Sequence, residues 1–174
     1  MLKKILTISS IVLFIIAILF FQLFVINNKS LFGVKPNLIL ICIIVVSLWY
    51  GVYKGTMISF ITGVLCDILF GNTTGMFTIA YTVTGAITGL INDNYRKENR
   101  MSLVYVTFIF TALFELIQYF EYLMITHIYT NIFYFLKQVI LTSLLNTVIV
   151  FIVYGVIYKI ITSFEDKLKG NYIM

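Results

Sequence analysis

Residues 51–75 read GVYKGTMISFITGVLCDILFGNTTG and place a small or acidic residue at every fourth position: Gly51, Gly55, Ser59, Gly63, Asp67, Gly71 and Gly75. Residues four apart in a helix lie on nearly one face, so this register draws a groove that lets neighbouring backbones approach closely in lipid. Asp67 sits inside it among Val64, Leu65, Cys66, Ile68, Leu69 and Phe70. An ionisable group in such apolar company is costly and demands either a local partner or a function.

Composition identifies the solvent around that groove. With 61% hydrophobic residues, 11% charged residues and one proline in 174 residues, the chain has too few polar groups to cover a water-soluble globule. Apolar runs of about fifteen to thirty residues recur without sustained strand-like alternation, which favours membrane-crossing helices over a barrel. The fold class is an all-α integral membrane protein, with residues 1–174 as a single transmembrane domain.

Six spans are predicted. Ile5 to Ile26 is a charge-free run long enough to cross about 30 Å of hydrocarbon. Asn27 to Asn37, with Lys29, Lys35 and Pro36, is the first loop. Leu38 to Val52 and Thr56 to Phe70 are short spans separated by a break at Tyr53, Lys54 and Gly55, and a second tight break runs from Gly71 to Gly75. Each short span makes only about 22 Å of helix, so both must borrow flanking residues, thin the bilayer or stop short. Met76 to Ile91, Met101 to Thr126 and Ile132 to Ile161 complete the set, joined by the charged loop Asn92 to Arg100 and by His127 to Asn131.

Charge orients the bundle. With the N-terminus in the cytoplasm, the inner segments collect Lys3, Lys4, Lys54, Arg96, Lys97, Arg100, Lys159, Lys167 and Lys169, against Lys29 and Lys35 outside. Both termini are therefore expected in the cytoplasm. The same asymmetry accounts for the net charge of +5 without invoking nucleic acid. Arg96, Lys97 and Arg100 are candidates for contact with anionic membrane lipid or a cytoplasmic partner, although Asp93 and Glu98 interrupt the patch. The first span follows Lys3 and Lys4 and lacks an Ala-x-Ala site, so it reads as a retained anchor.

Catalytic and metal-binding patterns are not evident. His127 is the only histidine, Cys42 and Cys66 lack C-x-x-C spacing, and there is no Walker-type loop, H-E-x-x-H or G-x-S-x-G. The expectation is a non-enzyme with no cofactor and no metal. What remains is an intramembrane polar set: Asp67, Glu115, Gln118, Glu121, Lys137 and Asn146. Glu115, Gln118 and Tyr122 share one helix face, Asp67 and Glu115 are able to meet across the bundle, and Glu121 and Lys137 are equidistant from Tyr129, so they are expected to pair. Asp67 has two open readings: a cap on backbone near the Gly71 break, or part of a cavity or helix-binding groove.

The stretch Lys35-Pro36-Asn37-Leu38, then Gly51-x3-Gly55-x7-Gly63-x3-Asp67-x3-Gly71-x3-Gly75, then Tyr81-x3-Gly85-x3-Gly89, resembles the rod shape-determining MreD family. That resemblance implies a non-enzymatic subunit of the bacterial plasma (inner) membrane, in the machinery that elongates the peptidoglycan wall. It implies MreC as partner, with MreB, RodA and a penicillin-binding transpeptidase in the same complex. It also implies a six-helix bundle similar to the S components of energy-coupling-factor transporters.

Within that frame Gly51, Gly55, Gly63, Asp67, Gly71, Gly75, Gly85 and Gly89 are candidates for helix packing or for docking the membrane helix of MreC. The two uses are not exclusive. The alternative reading is a substrate-binding S-type transporter subunit, because Asp67, Glu115, Glu121, Lys137 and Asn146 spread from mid-membrane to the outer half, where a small ligand could enter. An intramembrane enzyme comes third, because paired acids alone supply no nucleophile or metal set.

Overall fold

The computed structural model describes residues 21–22, 33–70, 75–95, 99–128 and 131–169, with the backbone alone described at 94, 160, 161 and 163–169. These residues form four helices, α1 (Leu38–Phe70), α2 (Met76–Leu90), α3 (Arg100–Thr126) and α4 (Ile132–Lys169), with a single 3-10 turn at Asn92–Asn94. Helices α3 and α4 are each long and apolar enough to cross a membrane, α1 is apolar over its 33 residues, and α2 has 15 residues. The predicted span from Ile5 to Ile26 lies outside the described residues except for Phe21 and Gln22.

Helix α1 is two arms. Gly51 adopts φ 80° and ψ −177°, a conformation essentially reserved for glycine, and the chain folds back there. A Cβ placed on Gly55 would lie 2.8 Å from the Ser47 Cα, although residues eight apart in a straight helix are separated by about 12 Å. The break expected at Tyr53, Lys54 and Gly55 is thus corrected to Gly51, and those three residues belong to the second arm. Breaking the helix removes the normal partner of the Leu48 carbonyl, the Val52 N–H. The Asn92 side-chain amide donates to that carbonyl instead, closing the first arm from the far end of α2.

The three segments so formed pack tightly. Asn37 bonds to Tyr81 and Leu48 to Asn92 with the same 44-residue offset, so the 38–50 arm and α2 run parallel. The 52–70 arm runs against both. Leu40, Ile43, Ile44 and Leu48 from the first arm meet Cys66, Ala80, Tyr81, Leu103, Phe114 and Val150 in one buried apolar cluster.

Local chemistry starts and stops the remaining helices. Asn99 caps α3 by accepting from the Met101 N–H at 3.0 Å, and Asn131 caps α4 by accepting from the Phe133 N–H at 3.0 Å. His127 ends α3 in the left-handed region (φ 54°), donating its N–H to the Leu123 carbonyl. Helix α4 continues past the expected end at Ile161 to Lys169. Tyr119 and Phe135 stack with ring centroids 4.0 Å apart and set the register of the α3–α4 hairpin.

Candidate functional site

The strongest polar constructions lie at the end of the bundle where α1 and α2 begin. Helix α2 has Gly75 at its cap position, in the left-handed region with no side-chain hydrogen bond of its own. Asp67 supplies the missing acceptor from the preceding helix: Oδ1 accepts from the Phe77 N–H at 3.0 Å and Oδ2 from the Thr78 N–H at 2.9 Å, while the Thr78 hydroxyl donates to Oδ2. A carboxylate on free N–H groups at a helix start is favoured by both hydrogen bonding and the helix dipole. The geometry is that of a backbone cap donated across a turn. Among the described residues no hydrogen bond joins Asp67 to Glu115, so the two acids are not brought together as a bonded pair.

One turn further along α2, Tyr81 connects this cap to a second construction. Its ring stacks between Phe77 and Phe114, with centroids 5.9 and 4.7 Å away. Its hydroxyl lies 3.0 Å from Asn37 Nδ2. Asn37 caps α1 by accepting from the Leu40 N–H at 2.9 Å, and its own N–H donates to Asn146 Oδ1 at 2.9 Å. Asn146 Nδ2 in turn donates to the Thr111 hydroxyl at 3.4 Å. Gln22 completes the set by donating to the Pro36 carbonyl at 2.8 Å and accepting from the Leu38 N–H at 3.0 Å. Asparagine 37 therefore ties α1, α2 and α4 together, with α3 reached through Asn146.

Sequence reasoning placed Asn146 in the polar set but assigned no role to Gln22, Asn37 or Thr111. A signal existed for two of the three: Asn37 directly precedes a long apolar run, as an N-cap does, and Gln22 interrupts another.

Four of the candidate glycines, Gly55, Gly63, Gly85 and Gly89, are turned inward. A Cβ on Gly63 would lie 2.6 Å from the Thr78 Cα and one on Gly89 2.7 Å from the Val52 Cα. On Gly85 it would come 2.7 Å from the Ser59 Cβ and against its hydroxyl. Together with Gly55 against Ser47, these glycines bring the chain's own backbones into contact. Gly51 and Gly75 serve as turn residues, and Gly71 lies outside the described residues.

The remaining polar residues are scattered. The expected Glu121–Lys137 pair does not form: both carboxylate oxygens of Glu121 are shielded without a hydrogen-bond partner, and Lys137 is exposed. Helical geometry explains the failure. Phe135, Val139, Thr142, Ser143, Asn146 and Val150 make the buried face of α4, and Lys137, two residues from Phe135, points about 200° away. Glu115 and Gln118 are half-buried on α3. Arg100 lays its guanidinium over the rings of Phe151 (4.7 Å) and Tyr154 (5.5 Å), while Arg96 and Lys97 fall outside the described residues. Cys42 and Cys66 are free thiols, and among the described residues no group of three His, Cys, Asp or Glu is placed to hold a metal ion.

A family model of the rod shape-determining protein MreD matches residues 2–160. No curated protein and no solved structure matches the chain significantly.

Proposed function

We propose, from the premise that the chain belongs to the MreD family of rod shape-determining proteins, that it is a non-enzymatic subunit of the complex that elongates the bacterial cell wall. In this role it sits in the plasma membrane with six spans and both termini in the cytoplasm, and docks the membrane helix of MreC. MreB, RodA and a penicillin-binding transpeptidase belong to the same assembly. The family match over nearly the whole chain carries the reading.

The physical arrangement supports a scaffold. A tightly packed α1–α2 unit, held by glycine contacts and by Asp67 and Asn37, gives a rigid body on which α3 and α4 leave apolar faces toward the membrane. The S-type transporter reading has less support, because Lys137 points away from the other polar groups and Asn146 is engaged with Asn37 and Thr111.

Complementation tests the role. Cells depleted of this chain should round up and regain rod shape on its expression, and MreC should copurify with it from detergent-solubilised membranes. Normal rods in the depleted cells, or no MreC in the eluate, would remove the proposal.

A further inference from the structure

The end of the bundle away from Asp67 is basic and aromatic. Helix α3 has 27 residues, about 40 Å of helix, so Arg100 at its start stands at headgroup level when the helix crosses a hydrocarbon core of about 30 Å. Its guanidinium lies over the rings of Phe151 and Tyr154, and among the described residues it has no hydrogen bond or ion pair, Asp93 of the adjoining turn included. A cation at a helix start also adds to the positive end of the helix dipole. The neighbouring turn holds a second unused donor. Tyr95 is 7% exposed, its ring stands edge-on to Trp49, and its hydroxyl is shielded from solvent without a hydrogen-bond partner. Burial, and then the Tyr154 phenol, hold that hydroxyl above the usual tyrosine range, so it keeps its proton. Tyr154 is thus the common neighbour of both groups: Arg100 stands over its ring, and Tyr95 is near enough to act on it electrostatically.

We infer that this corner holds the phosphate of an anionic phospholipid, with Arg100 as its principal ligand, the start of α3 beside it and the Tyr95 hydroxyl as a second donor. A guanidinium fork matches phosphate oxygens two at a time, and a helix start favours an anion. A buried hydroxyl without an acceptor is costly, and a phosphate oxygen supplies one. The surroundings select a lipid as the source: Met101, Phe151 and Ile152 beside the guanidinium are exposed and apolar, as acyl chains require. The inference needs only that α3 crosses a membrane, and it stands apart from the docking of MreC.

The test titrates the full-length chain in neutral detergent with phosphatidylglycerol and with phosphatidylcholine, counting bound lipid by native mass spectrometry. Phosphatidylglycerol should bind the more tightly of the two. Arg100→Gln should weaken it about ten-fold, Arg100→Lys about three-fold because an ammonium lacks the planar fork, and Tyr95→Phe about three-fold. Lys137→Gln, which removes one positive charge near the opposite end, should bind as wild type does. Equal losses in Arg100→Gln and Lys137→Gln would mean unspecific charge attraction and overturn the site. Should Arg100→Gln fail to elute as a monodisperse peak, Arg100→Lys and Tyr95→Phe carry the comparison, and wild-type affinity in both would equally overturn it. Millimolar inorganic phosphate should leave phosphatidylglycerol bound; its displacement would assign the site to a soluble phosphate instead of a lipid. None of these readings involves MreC, so failure here and failure of the docking role are separate results.

Discussion

The α1–α2 half of the molecule and the α3–α4 pair are both apolar helices, yet they are held by different means. In their most apolar windows, 56% of α1 is buried against 28% of α3 and 22% of α4. Glycine or serine stands at each crossing of the first half, so backbones touch: Gly55 on Ser47, Gly63 on Thr78, Gly85 on Ser59 and Gly89 on Val52. The second half meets mainly through side chains, such as Tyr119 on Phe135 and Arg100 on Phe151, and turns Ile109, Phe120, Leu144 and Ile152 outward. Hydrocarbon solvates a leucine as well as another leucine does, so in lipid apolar area alone does not decide what is buried. Close packing and polar satisfaction decide it, and the first half has more of both.

The largest test of that contrast compares two glycines. Gly63→Leu drives a side chain into the backbone of α2 and should cost about 3 kcal/mol or more, abolishing the monodisperse peak in fluorescence-detected gel filtration. Gly155→Leu, in open space on α4, should change the melting midpoint by no more than about 0.5 kcal/mol equivalent. Equal behaviour of the two variants would mean that the halves are not packed differently.

A smaller effect is expected at the cap shared by the two helices of the first half. Asp67→Ala leaves the Phe77 and Thr78 N–H groups without their acceptor and should destabilise by about 2–3 kcal/mol. Asp67→Asn retains one oxygen and should lose roughly half as much. Melting curves in detergent measure both, and an Asp67→Ala protein that melts with wild type would show the cap to be incidental.

The smallest change sharpens the link between the halves. Asn37→Ala removes the α1 cap and the side-chain bond to Tyr81 but leaves the backbone N–H free to reach Asn146, so about 1–2 kcal/mol should be lost. Combining it with Asn146→Ala should give less than the sum of the two single effects, because the residues share one network. Strict additivity would separate them.

Much of the helical layout is visible in the sequence because apolar runs and their polar interruptions are local signals. The starts of α2, α3 and α4 fall within a residue of the expected positions. The break in α1 was displaced because Lys54 and Gly55 look like a turn, while only backbone angles reveal that Gly51 carries the reversal. The Glu121–Lys137 pairing failed for a related reason: equal distance from a loop sets level along a hairpin but says nothing of rotation about each axis. The Asn37 network was missed because its members lie as far as 109 residues apart.

By itself the sequence determined a chain of apolar helices suited to a bilayer, its family, and the unusual four-residue register from Gly51 to Gly75. Those properties depend on composition and spacing, which need no knowledge of neighbours. Only the tertiary structure decided that Gly55 and Gly63 of the register face the chain's own backbones, that Asp67 serves the N-terminus of α2, and that Lys137 is left facing outward. Each depends on how helices are rotated and crossed, and those angles come from contacts between residues distant in sequence.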